Sequence, residues 1–434
     1  MIAHTLAEAT SALDFETPLE SDDPRWTDLS KARNNSNIER IKRLFERQTD
    51  NHWIHVVFAS HRGAGKSTEL KRLSANLAQK YFPVYFEATS EMDTNRFEME
   101  DLLLVIAHLI EKRMRELGTP LDTDLLQSIE NWFSEVVLSD EQGKSYLAVV
   151  KAEAKAGASV PFFVKLMASL TSSCRIESSH RESIKQTLRK FPGTLMEYVN
   201  KLLFAADQNL SKGGRKLLLI IDNMDRYEPN VIDKLLVQSA DRFKKLACHL
   251  IVTPPISLVL RPESQALEAI FHCETMPTVS LRKKNQPYHE VYDPGLECLL
   301  EVLRKRIDLD KLIPEKAVQN RLVAASGGAI RELIEFAQDA TLDATGEIIT
   351  ATDLELTLNR RRHRLRDRID ANGWWETLMS IAETKHLSKD DAFLEVLYQR
   401  IAFQYNGEVW YDVHPLITEL PTFVTKQKVV PQKK

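Results

Sequence analysis

The 434-residue sequence predicts an α/β fold built round a parallel sheet. Three observations lead to this prediction. A glycine-rich loop joins an apolar run to an amphipathic helix within residues 53–77, a second apolar run ends in Asp222, and further apolar runs alternate with helical segments. Runs that are apolar at every position are typical of parallel strands buried on both faces.

The glycine-rich loop reads SHRGAGKST and begins at Ser60. Gly63 and Gly65 let backbone N–H groups turn inward round phosphate oxygens, at a helix N-terminus where anions are stabilised. We expect Lys66 to reach the β- and γ-phosphates of a nucleotide and the Ser67 hydroxyl to ligate Mg²⁺. Ser60 replaces the usual first glycine, at an expected cost in backbone freedom. The predicted nucleotide-binding residues are Ser60, Arg62, Gly63, Ala64, Gly65, Lys66, Ser67 and Thr68.

The run KLLLIIDNMDR supplies the carboxylates that such a loop needs. A buried parallel strand of this kind ends at the same edge of the sheet as the loop, so Asp222 is the predicted second Mg²⁺ ligand. Asn223 follows, where many ATPases carry a catalytic glutamate. Asp225 is then the candidate that orients or deprotonates the attacking water. Its alternative role is to cap the turn after the strand, and hydrolysis would then be slow or absent.

Two more apolar runs, which begin at Ala247 and Glu274, are predicted strands, the second over 274–281. Thr253 is predicted either to emerge beside the γ-phosphate as a polar sensor or only to end its strand before Pro254 and Pro255. The sequence leaves both roles open.

A long segment separates the predicted strand at 82–88 from Asp222. Leucine spacing predicts amphipathic helices within 100–137 and 183–206. The Ala-rich stretch 144–175 between them is expected to be mobile. The segment serves either as an interaction surface or as an enlargement of the core.

Helices follow the core, with a break at Ser326-Gly327-Gly328 and Arg331 expected in the second turn after it. Thr352 and Glu355 are a predicted capping box. Helices followed by two aromatic strands round Asn406-Gly407 predict a winged-helix-like unit, whose wing carries the acidic Glu408 and Asp412.

Six arginines lie in the stretch 359–368 that leads into this C-terminal unit. They are predicted either to contact nucleic-acid phosphates or to pair with acidic neighbours on a solvated helix face. Because the wing is acidic, a protein-contacting winged helix is favoured over strong DNA binding.

These motifs resemble the AAA+ and STAND branch of the P-loop NTPases, especially origin-recognition-type AAA ATPases and NACHT- and KAP-like NTPases. The resemblance covers roughly residues 25–358. It implies a P-loop NTPase core with a long helical insertion, an α-helical lid and a C-terminal winged-helix-like domain. It also implies that Arg331 is the lid arginine that contacts the γ-phosphate. Arg226 and Arg261 are the candidate arginine fingers.

In such proteins the segment before the first strand packs against the adenine. Trp26, Leu29 and Arg33 are candidates for that contact, with plain packing as their alternative. The predicted units are an N-terminal linker and helix at 1–51, a core at 52–285 with its insertion at about 95–212, a lid at 286–358 and the winged-helix-like domain at 359–434.

Composition restricts the partners and the compartment. A net charge of −4 gives no global signal for nucleic acid or membrane, and no membrane partner is predicted. Glu8 and Asp14 interrupt the N-terminus too early for a signal peptide, and the four cysteines lack metal-ligand spacing, so a cytoplasmic protein is expected.

The sequence therefore predicts an ATP-binding, ATP-hydrolysing switch with Mg²⁺ as cofactor and Asp222, Asp225, Thr253 and Arg331 as catalytic residues. Its partner is an effector protein or another copy of the chain, and the STAND likeness implies a setting such as bacterial anti-phage defence. One alternative is an AAA+ ATPase that grips double-stranded DNA with its winged helix. Another is a structural subunit that binds ATP without hydrolysing it. The absence of a guanine-reading NKxD motif favours ATP over GTP.

Overall fold

The computed structural model describes residues 2–49, 52–93, 97–139, 141–156, 162–175, 179–287, 292–386, 388, 390–405 and 409–429. Its centre is a five-stranded parallel sheet. The strands are β1 His55–Ser60, β2 Tyr81–Glu87, β3 Lys216–Asp222, β4 His249–Val252 and β5 His272–Met276. They lie in the order β2-β3-β4-β1-β5, so the strand before the glycine-rich loop is flanked by β4 and β5. The predicted fold class is confirmed.

Helices cover both faces of this sheet. Those before and beside β2 are α1 Leu6–Ala12, α2 Ser30–Arg33, α3 Asn37–Glu46, α4 Lys66–Leu77 and α5 Ala88–Glu91. Alternate residues of β3 face opposite ways: Leu218 and Ile220 pack in one cluster with residues of α3 and α4, whereas Leu219 packs in another with the insertion. Both faces of β3 are buried, which explains the unbroken apolar run in the sequence.

The insertion between β2 and β3 is helical. It comprises α6 Met99–Glu116, α7 Thr123–Trp132, a π-helical turn Phe133–Val137, α8 Glu141–Ala156, α9 Phe162–Arg175, α10 Ser179–Lys190 and α11 Pro192–Ser211. The described residues of the stretch 144–175 lie in helices α8 and α9, and the predicted mobility of this stretch stays a prediction. Phe163, Leu166 and Leu170 recur at helical spacing and are buried in the same cluster as the sheet, so α9 enlarges the core.

After β3 the chain forms a one-turn 3₁₀ helix, Met224–Arg226, and then short helices. These are α12 Pro229–Leu236, α13 Ala240–Lys244, α14 Ile256–Val259 and α15 Gln265–Glu268, with a second 3₁₀ turn at Pro262–Ser264. Strand β5 starts two residues earlier than predicted and ends before Pro277, which has no N–H to donate to a ladder. Thr278 donates its N–H instead to the carbonyl of Gln404, 3.0 Å away in the C-terminal hairpin.

The lid and the C-terminal unit share one hydrophobic core. Their elements are α16 Asp293–Arg304, α17 Leu309–Leu312, α18 Lys316–Ala325, α19 Ile330–Asp343, α20 Ala351–Asn372, α21 Trp375–Thr384, α22 Asp391–Tyr398, β6 Ala402–Tyr405, β7 Trp410–Val413, α23 Pro415–Thr418 and α24 Pro421–Val429. Strands β6 and β7 are antiparallel, and the predicted Asn406-Gly407 turn lies outside the described residues. Helix α20 runs unbroken across residues 358 and 359, and the division into domains stays a prediction.

Two local predictions in the lid were wrong by about one turn or less. The capping box of α20 is formed by Thr350 and Asp353, not by Thr352 and Glu355, because Glu355 forms ion pairs with arginines instead. Arg331 lies in the first turn of α19 rather than the second.

The arginine run of α20 forms ion pairs within the chain. Arg360 pairs with Asp343, Arg361 with Glu332 at 2.7 Å, and Arg362 with Glu355 at 2.6 Å and with Glu419. Arg360, Arg361 and Arg362 thus pair with acidic neighbours, which is the second of the two roles predicted for this stretch. None of the described helices is long and apolar enough to cross a membrane.

The break between α18 and α19 requires a glycine at 328, where φ is +87° and an added Cβ would lie 1.9 Å from the carbonyl oxygen of Val279. Gly118 has a similar φ of +77° but open space round it. We expect Gly118→Ala to lose about 1–2 kcal/mol of unfolding free energy from backbone strain alone. Gly328→Ala should lose about 2–5 kcal/mol, because the overlap adds to the strain. Urea unfolding followed by circular dichroism measures both, and equal losses would show that Val279 is not an obstacle.

Candidate functional site

The glycine-rich loop turns between β1 and α4 through two left-handed glycines. Gly63 has φ +86° and Gly65 has φ +92°, and α4 begins at Lys66. Ser60 is still part of β1, paired with Met276, and is not among the residues with positive φ. The expected cost of serine at this position was therefore wrong, because an extended residue needs no glycine.

Arg33 supports the loop from beneath. Its guanidinium donates to the carbonyl of Ala64 and lies 3.8 Å from Glu69, and its side chain is buried. Burial lowers the pKa of Arg33, and the nearby carboxylates of Glu69 and Asp28 oppose that shift. Arg33 thus holds the loop and does not line the cleft above it, unlike the other two candidates for the adenine contact, Trp26 and Leu29.

Lys66 and Asp225 form a buried ion pair. The Lys66 ammonium donates to Asp225 Oδ2 at 2.6 Å, and both side chains are under one-tenth exposed. The sequence predicts both residues in the site but not their contact.

Asp222 lies at the end of β3 and is fully buried. It accepts hydrogen bonds from the Thr253 hydroxyl at 2.9 Å, from the N–H of Asn223 at 2.7 Å and from the Tyr85 hydroxyl. Tyr85 thus contacts one of the two predicted Mg²⁺ ligands directly. Burial raises the pKa of Tyr85, and the charge of Asp222 raises it further.

Sequence reasoning missed Tyr85 because nothing in one sequence tells which strand lies beside β3. The structure pairs β2 with β3 in register, and Tyr85 is thereby placed next to the end of that strand. Thr253 contacts Asp222 and does not line the cleft, so neither of its two predicted roles describes its contact fully.

The lid touches the loop directly. The N–H of Arg331 donates to the carbonyl of Gly63 at 3.1 Å, and a Cβ on Gly63 would lie 2.6 Å from Arg331 Cβ. Burial lowers the pKa of Arg331, and the positive charges of Arg62, Arg226 and Arg400 lower it further. Several guanidinium groups therefore converge beside the loop.

A cleft of about 910 Å³, open to solvent, lies over the loop. Its walls come from the loop, the N-terminal segment, the turn after β3 and the lid, and their apolar side chains include Phe15, Leu19, Val302 and Ile334. The predicted site residues that line it are Arg62, Gly63, Gly65, Lys66, Ser67, Thr68, Asp225 and Arg331. Those that do not line it are Ser60, Ala64, Asp222 and Thr253.

Three arginines of the cleft wall, Arg62, Arg226 and Arg331, form no ion pair with any carboxylate in the described part of the chain. Lys66, in contrast, is paired with the lining carboxylate of Asp225. The cleft thus carries an excess of positive charge where the loop offers its backbone N–H groups.

His61 connects the loop to the C-terminal hairpin. Its Nε2 accepts the N–H of Gln404 in β6 at 2.7 Å, and the Phe403 ring packs edge-to-face on the imidazole at a centroid distance of 5.5 Å. The Tyr405 hydroxyl donates to the carbonyl of Gly327 in the lid at 2.7 Å. One strand therefore contacts both the loop and the lid break.

The His61 contact makes stability depend on pH. Burial lowers the pKa of His61 to about 3, whereas an exposed histidine titrates near 6.5. Between these values the unfolded chain binds the extra proton, so stability is complete above about pH 6.5 and falls as the pH decreases, by up to about 1.4 kcal/mol per pH unit. We expect His61→Gln, whose amide oxygen can accept the same N–H, to lose less stability between pH 7 and 5 than the wild type in urea unfolding. Parallel pH curves would contradict this.

No protein-family model matches the sequence, and no curated protein matches it. Among solved structures, the chain is similar to the ORC1 protein of Aeropyrum pernix, solved in complex with DNA, at 10% identity and a TM-score of 0.40, over 96% of this chain and 97% of that one. It is also similar to a Walker-type ATPase of Pyrococcus abyssi, at 12% identity and a TM-score of 0.44, over 94% and 99% of the two chains.

The chain's own topology identifies its fold without those similarities. The parallel sheet has the order β2-β3-β4-β1-β5, and the GAGKST loop joins β1 to α4. Asp222 ends β3, the next strand but one from β1, and a helical lid lies over the loop. The chain has a P-loop NTPase fold, with a helical lid and a winged-helix-like unit.

Proposed function

We propose that the protein is an ATP-binding and ATP-hydrolysing switch that reports its nucleotide state through the C-terminal hairpin to a partner protein. The observation that carries this proposal is the cleft over the loop. Two left-handed glycines, Lys66 and three arginines without carboxylate partners meet there.

Electrostatics favours a polyphosphate as the ligand of this cleft. Like charges gathered in a partly buried site repel one another, and a multiply charged anion relieves that repulsion. Guanidinium groups bind phosphate oxygens through charge-assisted hydrogen bonds, and the helix N-terminus adds its own positive potential. The apolar walls that include Leu19, Trp26 and Ile334 suit a base.

Ser67 and Asp222 are the proposed Mg²⁺ ligands. Ser67 lies in the first turn of α4 and lines the cleft, and Asp222 ends strand β3 of the same parallel sheet. In the described chain no group of three His, Cys, Asp or Glu side chains could hold a metal alone, so the nucleotide phosphates would have to complete the coordination. The ion would neutralise charge on the phosphate oxygens.

Asp225 is the proposed base. Once Lys66 turns to the phosphates, the Asp225 carboxylate can hold a water molecule and accept its proton. Asn223 precedes it in a left-handed conformation with φ +61°, which turns the chain so that Asp225 faces the cleft. The absence of a glutamate at 223 therefore does not deprive the site of a carboxylate.

The hairpin is the proposed output of the switch. Gln404 is hydrogen-bonded to His61 in the loop, and Tyr405 is hydrogen-bonded to the lid. A shift of the loop or the lid on nucleotide binding would change the docking of β6. A protein partner is favoured over DNA because the arginines at 360–362 are engaged in ion pairs and Asp412 is buried between Arg282 and Lys385. A setting in defence against phage stays a prediction from the resemblance.

Hydrolysis and binding should separate in two variants. Lys66→Ala is expected to lose most ATP affinity, because it removes the cation that meets the phosphates. Asp225→Asn frees Lys66 and removes the base, so it should bind ATP at least as tightly as the wild type and release phosphate about 100-fold or more slowly. Fluorescent-nucleotide titration and single-turnover phosphate release measure the two effects.

Asp233→Asn is the matched control for these variants, since Asp233 pairs with Arg261 away from the cleft. Tight binding without turnover in the wild type would leave the structural subunit as the function. Stimulation of turnover by double-stranded DNA would favour the DNA-binding alternative.

Transmission to the hairpin should be visible in the N–H of Gln404. In the wild type, ATP is expected to change hydrogen exchange in the peptide that contains β6. His61→Ala should bind ATP but show fast exchange there, with or without nucleotide, because the acceptor is gone. His363→Ala, on the exposed side of α20, is the control. An ATP response that survives in His61→Ala would disprove this route.

A further inference from the structure

We propose that Arg226 contacts the γ-phosphate of the nucleotide bound to its own chain and stabilises the charge that develops during transfer. Each chain would then complete its hydrolytic site without an arginine from a neighbour. This inference rests on the proposed hydrolysis and names the residue that provides the transition-state cation.

The position of Arg226 is the first support. It ends the 3₁₀ turn Met224–Arg226, four residues after Asp222 at the end of β3, and it lines the cleft together with Lys66 and Ser67. Its N–H donates to the carbonyl of Asn223 at 3.2 Å, so the backbone of the turn is closed. The proposed base, Asp225, and the proposed cation, Arg226, thus come from one short turn.

The turn is anchored on its far side by Tyr227. This side chain is fully buried, and its hydroxyl donates to the carbonyl of Met92 at 3.3 Å. The Tyr227 carbonyl in turn accepts the Tyr398 hydroxyl at 3.2 Å. The backbone next to Arg226 is therefore anchored, and the Arg226 side chain lines the cleft.

Charge is the second support. Arg226 forms no ion pair with the described carboxylates, and its positive charge is close enough to lower the pKa of Arg331. Two guanidiniums, one from the core and one from the lid, therefore face the same place in the cleft. An anion bound between them would relieve their mutual repulsion.

Arg261, the other candidate finger, does not meet these conditions. It pairs with Asp233 at 3.6 Å and does not line the cleft. The structure thus separates two arginines that the sequence leaves equivalent.

The reaction balances with the groups present. A water oxygen forms a bond to the γ-phosphorus, and the bond from that phosphorus to the β,γ-bridging oxygen breaks, giving ADP and inorganic phosphate. One water proton passes to Asp225 and then to solvent. Arg226 and Arg331 neutralise charge on the non-bridging oxygens, which is where arginine acts in phosphoryl transfer.

A mixing experiment tests whether Arg226 acts within its own chain. Arg226→Ala and Lys66→Ala are each expected to reduce phosphate release from ATP by about 100-fold or more. In the mixture of these two full-length variants no chain carries both residues, so we expect no recovery. Wild-type release per chain should also be independent of protein concentration. Arg226→Lys should recover part of the rate, and Arg261→Ala should match the wild type.

Titration with fluorescent ATP distinguishes loss of the site from loss of catalysis. Arg226→Ala should bind ATP within about tenfold of the wild type, because Lys66 and the loop remain. Recovery in the mixture, or release per chain that rises with concentration, would show that the arginine is supplied by a neighbour. A hydrolysing wild type with an unaffected Arg226→Ala overturns only this inference. A wild type that binds ATP without releasing phosphate overturns the proposed hydrolysis and this inference with it.

Discussion

The structure depends on how the loop between β1 and α4 is held. Arg33 donates to its Ala64 carbonyl from beneath, the lid donates the Arg331 N–H to its Gly63 carbonyl, and its His61 accepts an N–H from the hairpin. These contacts come from three different parts of the chain. Because a glycine loop has little structure of its own, its neighbours set its shape. A ligand that moves the loop therefore affects all three contacts.

A buried charge network carries the same connection further. Glu332 follows Arg331 in α19, is fully buried and bonds to His414 at 2.7 Å and to Arg361 at 2.7 Å. Burial alone would raise its pKa, but His414 and Arg361 outweigh that effect and hold the pKa at about 2. Breaking one member would leave an unpaired buried charge, which is costly. Glu332 therefore joins the lid to the C-terminal unit, and it directly follows Arg331, which lines the cleft.

The sequence predicted what local chemistry determines. The loop, the strand ending at Asp222, the helices of the lid and the two aromatic strands follow from residue spacing and turn residues. It could not predict contacts that depend on which elements become neighbours: Tyr85 on Asp222, Asp225 on Lys66 and Gln404 on His61. It also did not predict helix α9, whose apolar face recurs at Phe163, Leu166 and Leu170.

The arginines show why pairing matters more than number. Six arginines occur in one stretch of the sequence. Three of them, Arg360, Arg361 and Arg362, form ion pairs with carboxylates of the same chain, so their charges are largely neutralised. Arg226 stands alone in the sequence and meets no carboxylate, so its charge remains available in the cleft. A cation held near other cations costs stability unless something offsets it. Ligand binding supplies that offset, and a site that is unfavourable alone becomes favourable when the γ-phosphate is present. Loss of that phosphate on hydrolysis would restore the repulsion between Arg226 and Arg331, and this provides a physical reason for the lid to respond to turnover.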